Sequence, residues 1–146
     1  MKNDNFDFKF YEWEEKFHDR PFLKQPFGDQ WETYTWGEVG QMARKLATGL
    51  QSLGLREKAH IGLISKNCRE WIIADLAILM AGYISVPFFP NLSSDEINNL
   101  VTFGEVDALI PTIKASNSPK FNRVLISSLD KLGKNGTEIY PAIRIA

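Results

Sequence analysis

At 146 residues the chain is long enough for one domain with a core of its own. Hydrophobic residues make up 44% and charged residues 24%, ordinary for a globular protein, and a net charge of −1 excludes a strong field that would recruit nucleic acid or an anionic membrane. A single cysteine excludes an internal disulfide framework, and the stretch from Lys2 to Arg20 lacks the apolar region of a secretion signal, so the chain reads as cytoplasmic.

Residues 6–17, FDFKFYEWEEKF, set Phe6, Phe10, Trp13 and Phe17 at helical spacing and predict a helix that Pro21 ends. FLKQ, the turn PFGD and QWETYT then read as a β-hairpin. Thr35 and Glu38 form a T-x-x-E capping box, in which the threonine oxygen takes the amide three residues on and the glutamate reaches back. The helix behind it carries Val39, Met42, Ala43, Leu46, Leu50 and Leu53 on one stripe, with Gly54 placed to close it. Such a stripe predicts an amphipathic surface helix packed on a sheet.

Ala59–Ser65 is a short apolar run suited to a buried strand. Asn67-x-x-Glu70 predicts a cap for a helix over Cys68–Ala81, which Gly82 ends. That helix is apolar nearly all round and so must be covered on most sides, while the apolar run Leu76–Phe88 is too short to cross a bilayer. Tyr83–Phe88 is a second strand, closed by Pro87 and Pro90. Ser93-x-x-Glu96 opens a third helix, with Ile97, Leu100, Val101 and Phe103 expected inward and Gly104 after them. Asp107–Thr112 is a third strand and Asn122–Ser127 a fourth, whereas Ile139–Ala146 finds no place.

Strands alternating with capped helices at these short connections indicate βαβ units with right-handed crossovers. The expected architecture is therefore α/β. A parallel βαβ sheet (37–112) has helices on both faces, is preceded by an aromatic helix and hairpin (6–36), and is followed by a tail (113–146), all in a single domain 1–146.

Two stretches carry a resemblance to a known family. Thr33-Tyr34-Thr35-Trp36-x-Glu38-Val39, followed by the helix ending Leu53-Gly54-Leu55, resembles the first core motif of the adenylate-forming, or AMP-binding, enzymes, in particular the long-chain fatty-acid CoA ligases (acyl-CoA synthetases). Leu79 to Pro90, with its A-G-x-x-x-V-P turn leading into P-x-L-S-x-x-E, resembles the second. The bridging segment Ile61 to Trp71 also fits, so the likeness runs from Phe22 to Thr112. It weakens beyond, where the usual strand–helix–strand passage is shortened to IKASNSPKF.

The resemblance implies the N-terminal subdomain of an enzyme in which a fatty-acid carboxylate attacks ATP to give an acyl-adenylate, from which CoA displaces AMP. It also implies ATP, Mg and CoA for the full-length family, with fatty acid and CoA as partners. The family holds its phosphates in a Ser/Thr/Gly-rich loop ending in Pro-Lys-Gly. No such run occurs here, and Asn135-Gly136-Thr137 lacks the glycines and the lysine. Polyphosphate charge is unmatched without amides and a cation. The expectation is a truncated copy or N-terminal fragment that is inactive alone. Asn91 follows Pro90 where some relatives carry an arginine that meets the CoA phosphate; a neutral hydrogen bond on the CoA side is what remains to carry over.

Other residues read as structural. Cys68 at a helix start beside Arg69 would have a stabilised thiolate, but only His18 and His60 are on offer as bases, and a half-buried structural thiol is the better reading. His60 lies in a strand as a packed histidine, and His18 ends the first helix as a partner of its dipole. Two histidines and one cysteine draw no metal site of ordinary spacing, so no catalytic or metal residue is assigned. The S-x-x-K match at Ser128–Lys131 has no companion motifs. The basic stretch Lys114–Lys134 reads as a solvated face, and the aromatics Phe6 to Trp36 read as packing.

Two further readings compete with the ligase fragment. One is a stand-alone non-catalytic module acting through protein–protein association. The other is an unrelated doubly wound protein with a nucleotide at its switch point, which a glycine-free loop Ser65-Lys66-Asn67 disfavours. A fragment of a multilayer protein would leave apolar surface bare, on the aromatic N-terminal segment or on the outer side of the Trp71–Ala81 helix, and a homodimer would cover it.

Overall fold

A computed structural model of the protein describes residues 6–111 and 144–145; the expected strand Asn122–Ser127 and most of the tail lie outside them. The chain opens with helix α1 (Phe6–Phe17), at the bounds predicted from its aromatic spacing. Phe10 is buried, with its ring centroid 5.9 Å from that of Phe22 and 5.5 Å from that of Trp36, and Phe22 stacks on Trp36 at 3.9 Å. Glu14, one turn on, is buried too and accepts two hydrogen bonds from Arg44, at 2.6 and 2.7 Å. That carboxylate holds the Arg44 guanidinium above its ordinary pKa. Gly40 makes the approach feasible, because a Cβ there would collide with the Glu14 carboxyl group.

Strands β1 (Pro21–Phe27) and β2 (Gln30–Thr35) form the expected antiparallel hairpin. Its two-residue turn begins at Gly28 with φ of 61°, the position at which a tight hairpin turn requires positive φ.

Helix α2 (Trp36–Gln51) starts on the predicted capping box. The Thr35 hydroxyl accepts from the Glu38 amide and the Glu38 carboxylate accepts from the Thr35 amide. Its partner differs from expectation: α2 packs mainly against helix α3 (Arg69–Met80), and against α1 and the hairpin, rather than directly on the parallel sheet. The reason lies in α3, whose two broad faces are both apolar; one meets the sheet and α2 covers the other. The outer side of this helix, expected to be bare, is therefore covered by α2; in the aromatic segment Phe10 is internal, whereas Tyr11 and Trp13 remain 39% and 43% exposed.

The expected Asn67 cap is also corrected. The N-cap of α3 is Cys68, with no side-chain cap bond, and Gln25 of β1 takes the Arg69 amide at 2.7 Å in its place. The C-terminus ends as predicted. Gly82, with φ of 80°, follows the cap residue Ala81, and the amides of Gly82 and Tyr83 return to the carbonyls of Leu79 and Ile78.

Strands β3 (His60–Ile64), β4 (Ile84–Phe88) and β5 (Ala108–Pro111) are parallel, in the spatial order β4-β3-β5. Strand β6 (Arg144–Ile145), unassigned from sequence, pairs antiparallel with β5. Alternation along the strands sorts the core into two faces. Ile61, Leu63, Ala108 and Ile110 join α3 in the main core, whereas Ile64, Phe88, Val86 and Leu109 pack with helix α4 (Ser94–Phe103). Helices thus lie on both faces, as expected for a doubly wound sheet. Gly62 stands where a Cβ would collide with Leu109.

Helix α4 starts on the predicted Ser93–Glu96 capping box, and the Ser93 amide and hydroxyl hold the Glu96 carboxyl below its usual range. Ile97 and Val101, one turn apart, face the sheet. Leu100 and Phe103 do not: they are 37% and 90% exposed, a correction to their expected inward position, because steps of three residues rotate them off that stripe. β5 begins one residue later than expected. Asp107 instead caps the strand start, accepting from the His60 amide and from Arg56 Nε, both at 2.8 Å.

Truncation of Ile78, fully buried on α3, should cost about 2–5 kcal/mol, and truncation of Phe103 within about 0.5 kcal/mol of nothing, in paired I78A and F103A denaturation experiments. Similar losses at both sites would refute the layering. The Arg56 hydrogen bond, with the His60 amide behind it, holds the Asp107 carboxyl below the usual range against burial. A depressed folded-state pKa contributes stability that is present above the unfolded value and lost as pH falls through the folded one. The stability gap between wild type and Asp107→Asn should therefore be constant near neutrality and shrink below about pH 4. A gap independent of pH down to acid unfolding would show that the carboxylate charge contributes nothing.

Candidate functional site

In open parallel sheets ligands collect at the carboxyl ends of the strands, where successive crossovers leave for opposite faces. Here α3 follows β3 on one face and α4 follows β4 on the other, so the point of divergence is the end of β3. The loop there is Ser65-Lys66-Asn67-Cys68. Buried Ser65 donates its hydroxyl to the Lys66 carbonyl at 2.7 Å and lies 3.5 Å from Cys68 Sγ. The loop has no glycine to let a phosphate approach the backbone, and the first amide of α3 is already taken by Gln25. These residues do not fit a polyphosphate.

Beside this loop, a cleft of about 330 Å3 opens between β1 and the start of α3, lined by Leu23, Gln25, Pro26, Cys68, Arg69 and Trp71 among others. Arg69 organises it. Its guanidinium donates to Glu32 at 2.9 Å and to Glu70, and sits 4.7 Å from the ring centroid of Tyr34, which itself donates to Glu32 at 2.5 Å. Gln25, Glu32 and Tyr34 share one face of the hairpin because Gln25 pairs with Glu32 and Leu23 with Tyr34. The cluster ties the hairpin to α3. Sequence reasoning missed it, since Arg69 lies 44 residues from Gln25 and 37 from Glu32, and no local pattern signals such a contact.

Asn91 is exposed in the turn between β4 and α4, at the carboxyl end of β4. His60 is packed as expected, with Nδ1 2.7 Å from the Gly104 carbonyl. His18 sits just beyond α1 with Nδ1 2.9 Å from Asp19, and a Cβ on Gly37 would strike its ring. Cys68 is half-buried and free. Among the described residues no three histidine, cysteine or acidic side chains converge as metal ligands.

Comparison with known proteins gives this geometry its context. The model of the AMP-binding enzyme family matches residues 10–140. The mouse long-chain-fatty-acid–CoA ligase ACSBG2 is 28% identical over 123 residues, 84% of this chain and 18% of the mouse protein. Long chain acyl-CoA synthetase 4 of Arabidopsis thaliana is 31% identical over 108 residues, 74% of this chain and 14% of that protein. The chain thus spans less than a fifth of the length of these relatives. Among solved structures, the N-terminal subdomain of Klebsiella oxytoca NpsA in complex with anthranilyl-AMSN superposes with a TM-score of 0.65 at 24% identity, covering 73% of this chain and 27% of that one. NpsA in complex with 3-hydroxyanthranilyl-AMSN gives 0.74 at 19% identity, covering 94% and 28%. These likenesses are of fold, and they agree with the order of capped helices and parallel strands built up above: the chain belongs to the AMP-binding enzyme family and matches the N-terminal region of its long-chain acyl-CoA ligases.

Proposed function

We propose that this chain is the N-terminal part, or a truncated copy, of an ATP-dependent long-chain fatty-acid CoA ligase. The observation that carries the reading is the family match over residues 10–140, with long-chain ligases among the relatives. In the full reaction a fatty-acid carboxylate attacks the α-phosphate of ATP, diphosphate leaves, and the CoA thiol displaces AMP. The described residues contribute a scaffold to that chemistry. ATP and Mg would be held by residues other than these 146, because the Ser65–Cys68 loop does not fit polyphosphate and no Pro-Lys-Gly loop occurs in the sequence. Asn91 is the one contact we assign to a substrate, as an exposed neutral hydrogen-bonding group on the CoA side. The lone cysteine supports a cytoplasmic reading, and among the described residues no helix is long and apolar enough to cross a membrane.

Two measurements test this reading together. Coding DNA beyond the codon for Ala146 should encode a Ser/Thr/Gly-rich loop ending in Pro-Lys-Gly, in frame or out of it. The 146-residue chain, incubated with ATP, magnesium, CoA and a long-chain fatty acid, should release no AMP above background. No such motif in any frame removes the ligase-fragment reading, and clear turnover removes the inactivity.

One observation favours the alternative of a stand-alone non-catalytic module: α2 covers α3, so the chain encloses its own main core. A module of this kind acts through association. With α3 and Phe10 covered, the flank of α4 bearing Leu100 and Phe103 is the surface we assign to a second copy. A wild-type dimer in sedimentation at micromolar concentration, reduced to monomer by Phe103→Ser, supports that assignment. A wild-type monomer removes the second copy as a partner.

A further inference from the structure

β4 is one of the two edge strands of the described four-stranded sheet, and its pairing with β3 places Ile84 opposite His60 and Phe88 opposite Ile64. The Ile84 amide donates to the Ala59 carbonyl at 2.9 Å. In a parallel ladder alternate residues turn both backbone groups to the same neighbour. Ile84, Val86 and Phe88 therefore bond to β3, while Ser85 and Pro87 turn their backbone groups to the side where, among the described residues, no strand pairs. An open edge of this kind is a template for another strand.

The expected strand Tyr83–Phe88 includes Pro87, and β4 runs through it to Phe88. Proline has no N–H to give, and inside a sheet it is confined to edges, with its nitrogen away from the ladder. Pro87 sits in that position, exposed, on the outward side. Of the two outward positions only Ser85 retains a donor. The Ser85 side chain is engaged elsewhere, with Oγ donating to Asp75 at 2.5 Å, so the strand cannot shift register to offer other amides without breaking that bond.

We propose that Pro87 closes the free edge of β4 to strand addition, and that the partner it refuses is the same edge of a second copy of this chain. Two β4 edges related by a two-fold axis would run antiparallel, the closed arrangement that self-complementary surfaces most readily form. A Pro87 on each strand removes half of the donors such a ribbon would need.

Amide exchange of the wild-type chain, followed by NMR, tests the geometry first. Ile84, Val86 and Phe88 should be protected, and Ser85 should exchange as fast as a loop residue. Pro87→Ala and Pro87→Thr then restore the N–H, one with a minimal side chain and one with a β-branched residue. Both should raise the weight-average mass with concentration above that of wild type, and both should slow exchange at Ser85. A wild-type Ser85 amide as protected as that of Val86 would show the edge already paired and overturn the proposal. Folded variants with the wild-type mass at all concentrations would overturn it as well.

Discussion

The absence of a polar face on α3 is the constraint from which the rest of the architecture follows. A helix whose sides are nearly all apolar needs cover on two sides, and the sheet supplies only one. The second cover is α2, whose buried stripe of Val39, Ala43, Leu46, Ala47 and Leu50 meets it. Small residues on both helices, Ala43 and Ala47 on one and Ala74 and Ala77 on the other, leave space for the larger Ile73, Leu76 and Ile78 to fill. The result is a stack of helix, helix, sheet and helix with its best-packed part on the α3 side. The α4 side is thinner, and no residue of α4 itself is fully buried.

Buried charge in this fold serves register more than stability. Glu14 is enclosed only where Arg44 meets both of its oxygens, and Arg69 only where two carboxylates and the Tyr34 ring surround it. Removing one member of such a pair leaves an uncompensated charge, whereas the intact pair contributes modestly. Each therefore acts as a selective latch, one between α1 and α2 and the other between the hairpin and α3. Asp107 does similar work at the opposite end of the sheet, joining the starts of β3 and β5 to Arg56.

The same latches limit what the carboxyl end of the sheet can bind. Gln25 occupies the first amide of α3, and the Ser65 hydroxyl is satisfied within its own loop, so these two groups are already engaged. This agrees with the scaffold role proposed above for the described residues.

Local structure was legible in the sequence because its causes are local. The bounds of α1, both capping boxes, the hairpin turn at Gly28 and the glycine closure of α3 follow from side chains a few residues apart. Apolar runs and helical patterns likewise pointed to the elements from α1 to β5, whose order carried the family resemblance, whereas β6 had no local signal. What the sequence could not fix was pairing at a distance. A stripe on α2 shows that the helix buries one side, yet hydrophobic burial is non-directional, and only the completed stack decides that the partner is α3 rather than the sheet. The Gln25 cap in place of Asn67 and the four-residue cluster around Arg69 join positions set side by side only after the hairpin has docked. The exposure of Phe103 was decided the same way: its apolarity is written in the chain, but the direction it faces depends on how α4 rolls against Ile64 and Phe88.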